Sequence, residues 1–359
     1  MMAAVSGFRG RVLSMGRASS NAAAGIVFVL LAAGDSAPVG AKDLAPPVRA
    51  DAFSFVVAGH TYGAHHGRNV GLYPRFLTAL GKQRDFDFLV LTGDFVRQRT
   101  EESYAAVRGE LREIGKPHYL VMGNHDDGPR GRRLFEESYG GTHYSFSVGA
   151  NLFVVLDSQA ERYSFGKKQM GFLEDELARQ PWRNAFLFFH ELLWLDSARY
   201  DGLLANLGRE ADYSQASFWP EFFPLLRSHP GVEFHVIAGD VGGNPWAIPA
   251  FFDRIDNVNL VASGMGEVED ENFLWVDVAG SDVTMTVVPL WDRKLRQPVE
   301  WFNAYNLRHR RSAGCVYPAC VLPNAPDGEP PGEGKRPDTD EPGLWDRILK
   351  ALGRESPGS

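Results

Sequence analysis

Short apolar runs, each followed by a glycine or a histidine, recur through the middle of the chain and predict buried strands. They cover residues 53–58, 87–92, 118–122, 186–189 and 234–238. Aromatic and β-branched residues are frequent in these runs, which is typical of strands inside a core. Because a glycine or His190 follows each run, we expect the chain to turn at the end of each strand.

Several segments between these runs have apolar residues at a period near 3.6, which predicts helices. They are residues 72–80, 102–114 and 169–178. Strands that alternate with helices indicate an α/β fold. Two further segments, 144–156 and 273–288, have a strand-like run on each side of a Gly-containing turn and predict hairpins. The hairpins favour a mixed sheet, or two packed sheets flanked by helices, over a simple doubly wound sheet.

The N-terminal end of the chain differs from the middle in composition. Arg9, Arg11 and Arg17 precede an apolar run at 22–33, and small residues follow at 39–41. This is the layout of a secretory signal peptide, and the apolar run is shorter than the roughly 20 residues of a membrane span. We therefore expect residues 1–41 to direct export to the periplasm or the medium, with a linker at 42–52. An uncleaved anchor or a disordered tail are the alternatives.

The C-terminal end also departs from the composition of a compact domain, which we expect to cover residues 53–307. Residues 308–342 are predicted to be a disordered, acidic linker rich in proline and glycine. Cys315 and Cys320 lie in this linker, where a local disulfide and two free thiols are both compatible with the sequence. Apolar positions at 343–354 predict a short amphipathic helix, which either packs on its own domain or docks on a partner or membrane surface.

The overall composition narrows the class of function. The chain has 359 residues, of which 44% are hydrophobic, and this is enough for one catalytic domain with a large core. Its net charge of −8 is a poor electrostatic match for nucleic acid, so we expect no nucleic acid as a structural partner. A small-molecule or phosphorylated substrate is expected instead.

Polar residues follow the carboxyl ends of the predicted strands. In open α/β sheets, ligands bind at this edge, so we expect these side chains to converge on one crevice. Any one of them alone has an ordinary structural explanation, such as a helix cap or a turn, but their joint placement does not. The residues are His60, Asp94, Asn124, His125, His190 and Asp240.

Three of these strand ends resemble the motifs of the calcineurin-like metallophosphoesterases. The matching segments are Gly93-Asp94, the run from Gly123 through Asn124 and His125 to Asp126, and the isolated His190. The resemblance covers about residues 53–290. It implies a four-layer sandwich of helices around two mixed sheets, with two metal ions at the strand ends.

The resemblance also implies a role for each matching residue. Two divalent ions would neutralise a phosphate ester and generate a hydroxide nucleophile near neutral pH. Asp94 would bridge the ions, and Asn124 and His190 would complete the second site. His125 would contact the phosphate or act as general acid, and Asp126 would fix the tautomer of His125.

Two other motifs depart from the family pattern. The family has Gly-Asp-x-His where this chain reads Gly59-His60-Thr61-Tyr62, and Gly-His-x-His where it reads Gly239-Asp240-Val241-Gly242. His60 and Asp240 are both types of residue that ligate metals. The second site would then consist of Asp94, Asn124, His190 and Asp240. The first would have His60, Asp94 and Tyr62, one ligand short because Gly242 has no side chain.

Three interpretations of this altered pattern remain open. The chain is an active binuclear enzyme with a rearranged first site, an enzyme with one firmly held metal, or a degenerate scaffold that binds a metal or an anionic ligand without turnover. We expect hydrolysis of a phosphomonoester or phosphodiester, with one or two Mn, Fe or Zn ions per chain. Loops 61–71 and 194–218 are expected to shape the pocket.

Overall fold

The computed structural model describes residues 45–312, except for 47, 64–66, 84, 162, 196, 207–215, 245, 267–269 and 292–295. The predicted signal peptide, Cys315, Cys320 and the 343–354 helix lie outside the described residues, so those expectations stay predictions. Within the described ranges, no helix is long and apolar enough to pass through a membrane.

Strands and helices alternate along the first half of the described chain. The strands are β1 (Ala52–Ala58), β2 (Phe88–Leu91), β3 (His118–Leu120), β4 (Tyr144–Val148), β5 (Asn151–Val155), β6 (Asn184–Phe188), β7 (Glu233–Ala238), β8 (Ala250–Ile255), β9 (Val258–Ser263), β10 (Asn272–Ala279), β11 (Asp282–Pro289) and β12 (Gln297–Pro298). The helices are α1 (Pro74–Gly81), α2 (Glu101–Ile114), α3 (Pro129–Tyr139), α4 (Gly166–Ala178), α5 (Phe223–Arg227) and α6 (Ala304–Ser312).

The strands form two six-stranded mixed sheets, as the resemblance implied. The first has the order β12-β11-β10-β1-β2-β3, and the second has the order β4-β5-β6-β7-β9-β8. β1, β2 and β3 run parallel in the first sheet, and β5, β6, β7 and β9 run parallel in the second. The remaining pairs are antiparallel, and both predicted hairpins are present as β4–β5 and β10–β11.

All five predicted strands and all three predicted helices are present, with shifted ends. The prediction missed β8, β9, β12, α3, α5 and α6. Most residues of α3 are polar or charged, and its buried side chains are few, Leu134 and Phe135 among them, so it gives no periodic apolar signal. At the C-terminal end, α6 continues to Ser312, past the predicted domain end at residue 307.

The interior between the two sheets is built from aromatic rings. Phe55 and Phe88 of the first sheet stack with ring centroids 4.8 Å apart, and Phe153 and Phe186 of the second do the same. Phe55 meets Phe186 edge-on at 5.3 Å across the interface. Val56 points to the other face of β1 and packs among side chains of α1, α2 and α3. Because both faces of β1 are covered, packing fixes the strand and the residues at its end.

Candidate metal centre

Glycines at the strand ends allow the two sheets to approach each other closely. A Cβ atom on Gly59 would lie 2.4 Å from Cα of Gly239, and one on Gly93 would lie 2.4 Å from Nδ1 of His190. Cβ contacts below 3.0 Å are essentially never found. Glycine is therefore required for the ends of β1 and β2 to meet the ends of β6 and β7.

Two of the predicted site residues have strained backbone conformations. His60 and Asp94 follow Gly59 and Gly93 directly, and their φ angles are 56° and 55°. A left-handed conformation is uncommon for a non-glycine residue and costs about 1 kcal/mol. Such strain is frequent at functional sites, where it directs a side chain to a particular point.

The four residues predicted for the second metal site come together in the structure. Ligand atoms of Asp94, His190 and Asp240 lie within 4.8 Å of one another, and all three side chains are fully buried. Nε2 of His190 is 3.4 Å from Oδ1 of Asp94, 3.8 Å from Oδ1 of Asp240 and 2.9 Å from Oδ1 of Asn124. These four donors surround one point.

The other ring nitrogen of His190 fixes how the imidazole faces this point. Nδ1 lies 2.8 Å from the carbonyl oxygen of Thr92, to which it donates its hydrogen. The lone pair of the neutral ring is then on Nε2, towards Asp94 and Asp240. A hydrogen bond from the remote ring nitrogen is the usual way in which a metal-ligating histidine is oriented.

The charges and unmet hydrogen bonds of the cluster fit a divalent cation. Neither oxygen of Asp240, nor Oδ2 of Asp94, has a hydrogen-bond partner of good geometry among the described residues. Buried carboxylates without partners are strongly unfavourable unless they are paired or coordinate a metal. Two carboxylates, an imidazole and an amide oxygen are a donor set suited to Mn, Fe or Zn. The donor chemistry is thus the one expected from the sequence.

The same surroundings shift the proton affinities of the cluster. Burial raises the pKa of Asp240 to about 7. Burial alone would lower the pKa of His190, but the carboxylates of Asp94 and Asp240 outweigh it and raise that pKa well above the usual range. Without a cation, the cluster therefore holds protons near neutral pH.

We expect metal binding at pH 7 to release about one proton per ion, because a ligating His190 has to give up its ring proton. Apparent affinity should rise as the pH increases through the pKa of His190 and level off above it. Titration calorimetry in two buffers of different ionisation enthalpy measures the protons released. Identical heats in the two buffers would show that the cluster binds its ion without losing a proton.

Asp94 separates this cluster from a second group of side chains. Its Oδ2 lies 3.6 Å from Nε2 of His60, on the opposite side from His190. The hydroxyl of Tyr62 lies 3.0 Å from the same nitrogen of His60. The predicted residues of the first site are therefore adjacent, and Asp94 lies between the two groups, as a bridging carboxylate would.

Sequence reasoning missed one residue of this second group. Nδ2 of Asn206 lies 2.8 Å from Nε2 of His60, and the backbone N–H of Asn206 donates to the carbonyl oxygen of Asp240 at 3.0 Å. Asn206 is in an irregular loop, and a single asparagine there has no motif around it. Only the three-dimensional arrangement identifies it.

His125 lies at the open side of the centre. Its backbone N–H donates to Oδ1 of Asp94 at 2.8 Å, and its ring nitrogen Nε2 is 3.3 Å from the hydroxyl of Tyr62. The side chain is only partly buried. The ring is thus anchored next to the cluster, with a face accessible from the solvent side.

Asp126 has a different role from the one predicted. We expected it to fix the tautomer of His125, but its carboxylate accepts backbone N–H groups instead. The donors are those of Asp94 at 2.7 Å, Phe95 at 3.1 Å, Val96 at 3.1 Å and Gly123 at 2.9 Å. These bonds hold the turn after β2 against the turn after β3, so Asp126 positions the loops that carry Asp94 and Asn124.

Replacement of Asp126 by asparagine should destabilise the protein by about 2–3 kcal/mol, because an amide NH2 would face N–H donors that a carboxylate accepts. Urea unfolding measures the loss. Among the described residues, Asp87 accepts one backbone N–H, from Ser54 at 2.8 Å, and Asp87→Asn should cost less than about 1 kcal/mol. Equal losses in the two variants would contradict this role.

Comparison with known proteins agrees with the fold and the motifs. Residues 60–197 match the family model of the calcineurin-like phosphoesterases. The chain is 31% identical over 155 residues to a serine/threonine-protein phosphatase of Bos taurus, covering 37% of this chain and 49% of the relative.

Two bacterial relatives are similar over shorter segments. One is a probable glycerophosphodiester phosphodiesterase of Arcobacter nitrofigilis, 28% identical over 112 residues, which are 29% of this chain and 41% of the relative. Another is a 3′,5′-cyclic adenosine monophosphate phosphodiesterase of Haemophilus influenzae, 25% identical over 125 residues, 32% of this chain and 46% of the relative. The chain thus spans less than half the length of these three relatives. The strand-end motifs, the two mixed sheets and the matched segment, residues 60–197, all make the chain similar to the calcineurin-like phosphoesterases, with two strand-end motifs altered.

Proposed function

We propose that the protein hydrolyses a phosphate monoester or diester with the help of a divalent metal ion. The observation that carries this proposal is the buried cluster of Asp94, His190 and Asp240, with unpartnered oxygens facing one point and His125 beside it. A buried group of this kind costs folding free energy, and a fold retains such a cost where it serves a function. The relatives, which carry the names of phosphodiesterases and a phosphatase, support the same class of reaction.

The ion would be held by Asp94, Asn124, His190 and Asp240. When bound, it would neutralise the negative charge of the ester and lower the pKa of a water molecule for attack on phosphorus. Asn124 and Asp94 come from loops of the first sheet, and His190 and Asp240 come from loops of the second. The chain's contribution is thus to hold these donors at fixed positions from two packed sheets.

His125 would act on the leaving group. Its backbone bond to Asp94 holds it next to the centre, and its ring is partly exposed, so a substrate at the centre would meet it. An imidazole in this place would protonate the leaving oxygen or donate a hydrogen bond to the phosphate.

Tyr62 supports the ring of His125. Burial raises the pKa of the Tyr62 hydroxyl far above its usual value, so the group stays a neutral phenol at any working pH. It lies 3.3 Å from Nε2 of His125 and 3.0 Å from Nε2 of His60. The phenol therefore orients His125 without adding charge to the pocket.

The alternative is a scaffold that binds a metal or an anionic ligand without turnover. Two altered motifs favour binding without turnover, because they have His60 and Asp240 in place of the residues of the family pattern. The retained His125 favours hydrolysis, because its backbone N–H is bonded to Asp94 and its ring nitrogen lies 3.3 Å from the hydroxyl of Tyr62.

Metal reconstitution of the full-length protein tests the proposal. The chain is stripped with a chelator and reloaded with Mn²⁺, Fe²⁺ or Zn²⁺, and turnover is assayed with p-nitrophenyl phosphate, bis-p-nitrophenyl phosphate, cyclic nucleotides and glycerophosphodiesters. We expect hydrolysis that depends on the added metal. Metal binding without turnover on any of these esters would support the alternative, and failure to bind metal would rule out the proposed centre.

A further inference from the structure

We propose that the position on the His60 side of Asp94 takes no metal ion, because a hydrogen bond from the Asn206 amide to His60 closes it. The chain would then bind a single ion, between Asp94, Asn124, His190 and Asp240. This inference rests on the proposed metal centre and specifies how many ions it holds. The protein would then hold one metal ion where the pattern of the similar family implies two.

The orientation of the Asn206 amide is fixed by Asn244. Nδ2 of Asn244 donates to the backbone carbonyl oxygen of Asn206 at 3.0 Å and to Oδ1 of Asn206 at 2.6 Å. A backbone carbonyl only accepts, so Asn244 has to present its NH2 group here. The side chain of Asn206 must then turn its oxygen towards Asn244 and its own NH2 towards His60. An NH2 group has no lone pair to offer a cation.

The ring nitrogen of His60 that faces Asp94 is already engaged. A neutral imidazole has a single nitrogen that accepts. Since the Asn206 NH2 lies 2.8 Å from Nε2, that nitrogen is the acceptor. The hydroxyl of Tyr62 approaches the same nitrogen at 3.0 Å.

The glycines after β7 leave the space in which the side chain of Asn206 lies next to His60. Gly242 replaces a histidine of the family pattern, its φ is 74°, and a Cβ there would lie 3.3 Å from backbone atoms of Met265. A Cβ on Gly243 would lie 2.7 Å from Oδ1 of Asn206 and 3.1 Å from Cε1 of His60. Asn206 thus lies against glycine, in a space that a side chain at position 243 would fill.

The two sides of Asp94 therefore differ in chemistry. On the His190 side, neither oxygen of Asp240 has a hydrogen-bond partner of good geometry among the described residues, and Nε2 of His190 lies 3.8 Å from Oδ1 of Asp240. On the His60 side, the described groups besides Oδ2 of Asp94 are an amide NH2, a phenol and an imidazole whose acceptor nitrogen is in use. Among the described residues, only the first side offers a set of donors for a cation.

The stoichiometry of metal binding tests this inference directly. The full-length protein is stripped, saturated with Mn²⁺ and analysed by elemental analysis and electron paramagnetic resonance. We expect about one ion per chain and the spectrum of isolated Mn²⁺. About two ions with a spin-coupled spectrum would overturn the inference and leave the proposed function intact. No bound ion would overturn both.

Two variants test whether the Asn206 amide, and not only a lack of ligands, keeps a metal ion from the His60 side of Asp94. His60→Ala should still bind about one ion, because His60 does not hold it, and loss of that ion would overturn the inference. Asn206→Asp replaces the NH2 donor by a carboxylate next to His60 and Asp94, so we expect a second ion and the coupled spectrum. If Asn206→Asp still binds a single ion, the amide is not what closes the position, and the inference is wrong.

Discussion

Replacement of His125 by alanine is expected to lower the turnover of phosphate esters by about 10²- to 10⁴-fold, the range typical of a lost general acid. Metal content should stay the same, because the contact of this residue with Asp94 is made by the backbone N–H and not by the ring. The rates of wild type and variant are compared at saturating metal, and the metal content is measured on the same samples.

His118 provides the matched control for this experiment. It lies at the start of β3, the strand that precedes the loop of His125, and its side chain is also partly buried. Its Nδ1 lies 3.1 Å from the carbonyl oxygen of Lys116, remote from the centre. His118→Ala should retain full turnover. If His125→Ala also retains it, His125 is not part of the chemistry.

Replacement of Asp240 by asparagine should remove the bound ion, with a loss of affinity of at least about 100-fold. The substitution keeps the shape of the side chain but removes a buried charge whose oxygens have no hydrogen-bond partner of good geometry among the described residues. For the same reason, the metal-free variant should be more stable than the metal-free wild type, by about 1–3 kcal/mol at pH 8. Unfolding in urea with a chelator present measures this gain.

The gain in stability should depend on pH in a defined direction. Burial raises the pKa of Asp240 from 3.8 to about 7, so the folded protein favours the neutral carboxyl and is destabilised when it ionises. The advantage of Asp240→Asn is therefore complete above pH 7 and disappears below pH 3.8. A variant that loses the metal without becoming more stable would mean that the carboxylate has a partner in the metal-free protein.

Asp157 is the control for burial. It is as inaccessible as Asp240 but is bonded to Nη1 of Arg132 at 2.6 Å and to the N–H groups of Gln159 and Ala160. Asp157→Asn should lower stability and leave metal affinity nearly unchanged. If Asp157→Asn lowers stability and Asp240→Asn raises it, burial alone does not explain either effect. The difference would then come from the hydrogen bonds of Asp157, for which Asp240 has no counterpart of good geometry among the described residues.

The sequence predicted the parts of this protein that depend on local pattern. Runs such as residues 53–58 contain aromatic and β-branched residues, which indicate a strand buried on both faces. In the structure, β1 packs against one hydrophobic cluster on each face. The glycines and polar residues after these runs placed Asp94, His190 and Asp240 at strand ends, where the structure brings them together. This worked because parallel strands bring their carboxyl ends to one edge.

The roles of Asp126 and Asn206 could not be predicted in the same way. Asp126 follows His125 in the motif, which suggested contact between them, but the turn directs its carboxylate at four backbone N–H groups. Asn206 contacts His60 although the two residues are 146 positions apart in the sequence. Contacts between residues that are distant in the sequence depend on how whole helices and strands pack. The local pattern of a single sequence does not predict them.

The close approach of the strand ends at Gly59 and Gly239 has a mechanical consequence. The donors of the centre come in pairs from the two sheets, so an ion bound there would cross-link the halves of the sandwich at this end, much as a covalent bridge would. Stripping the ion should let this end open first, and the amides at the ends of β2 and β6 should then exchange their hydrogens sooner than those at the opposite end.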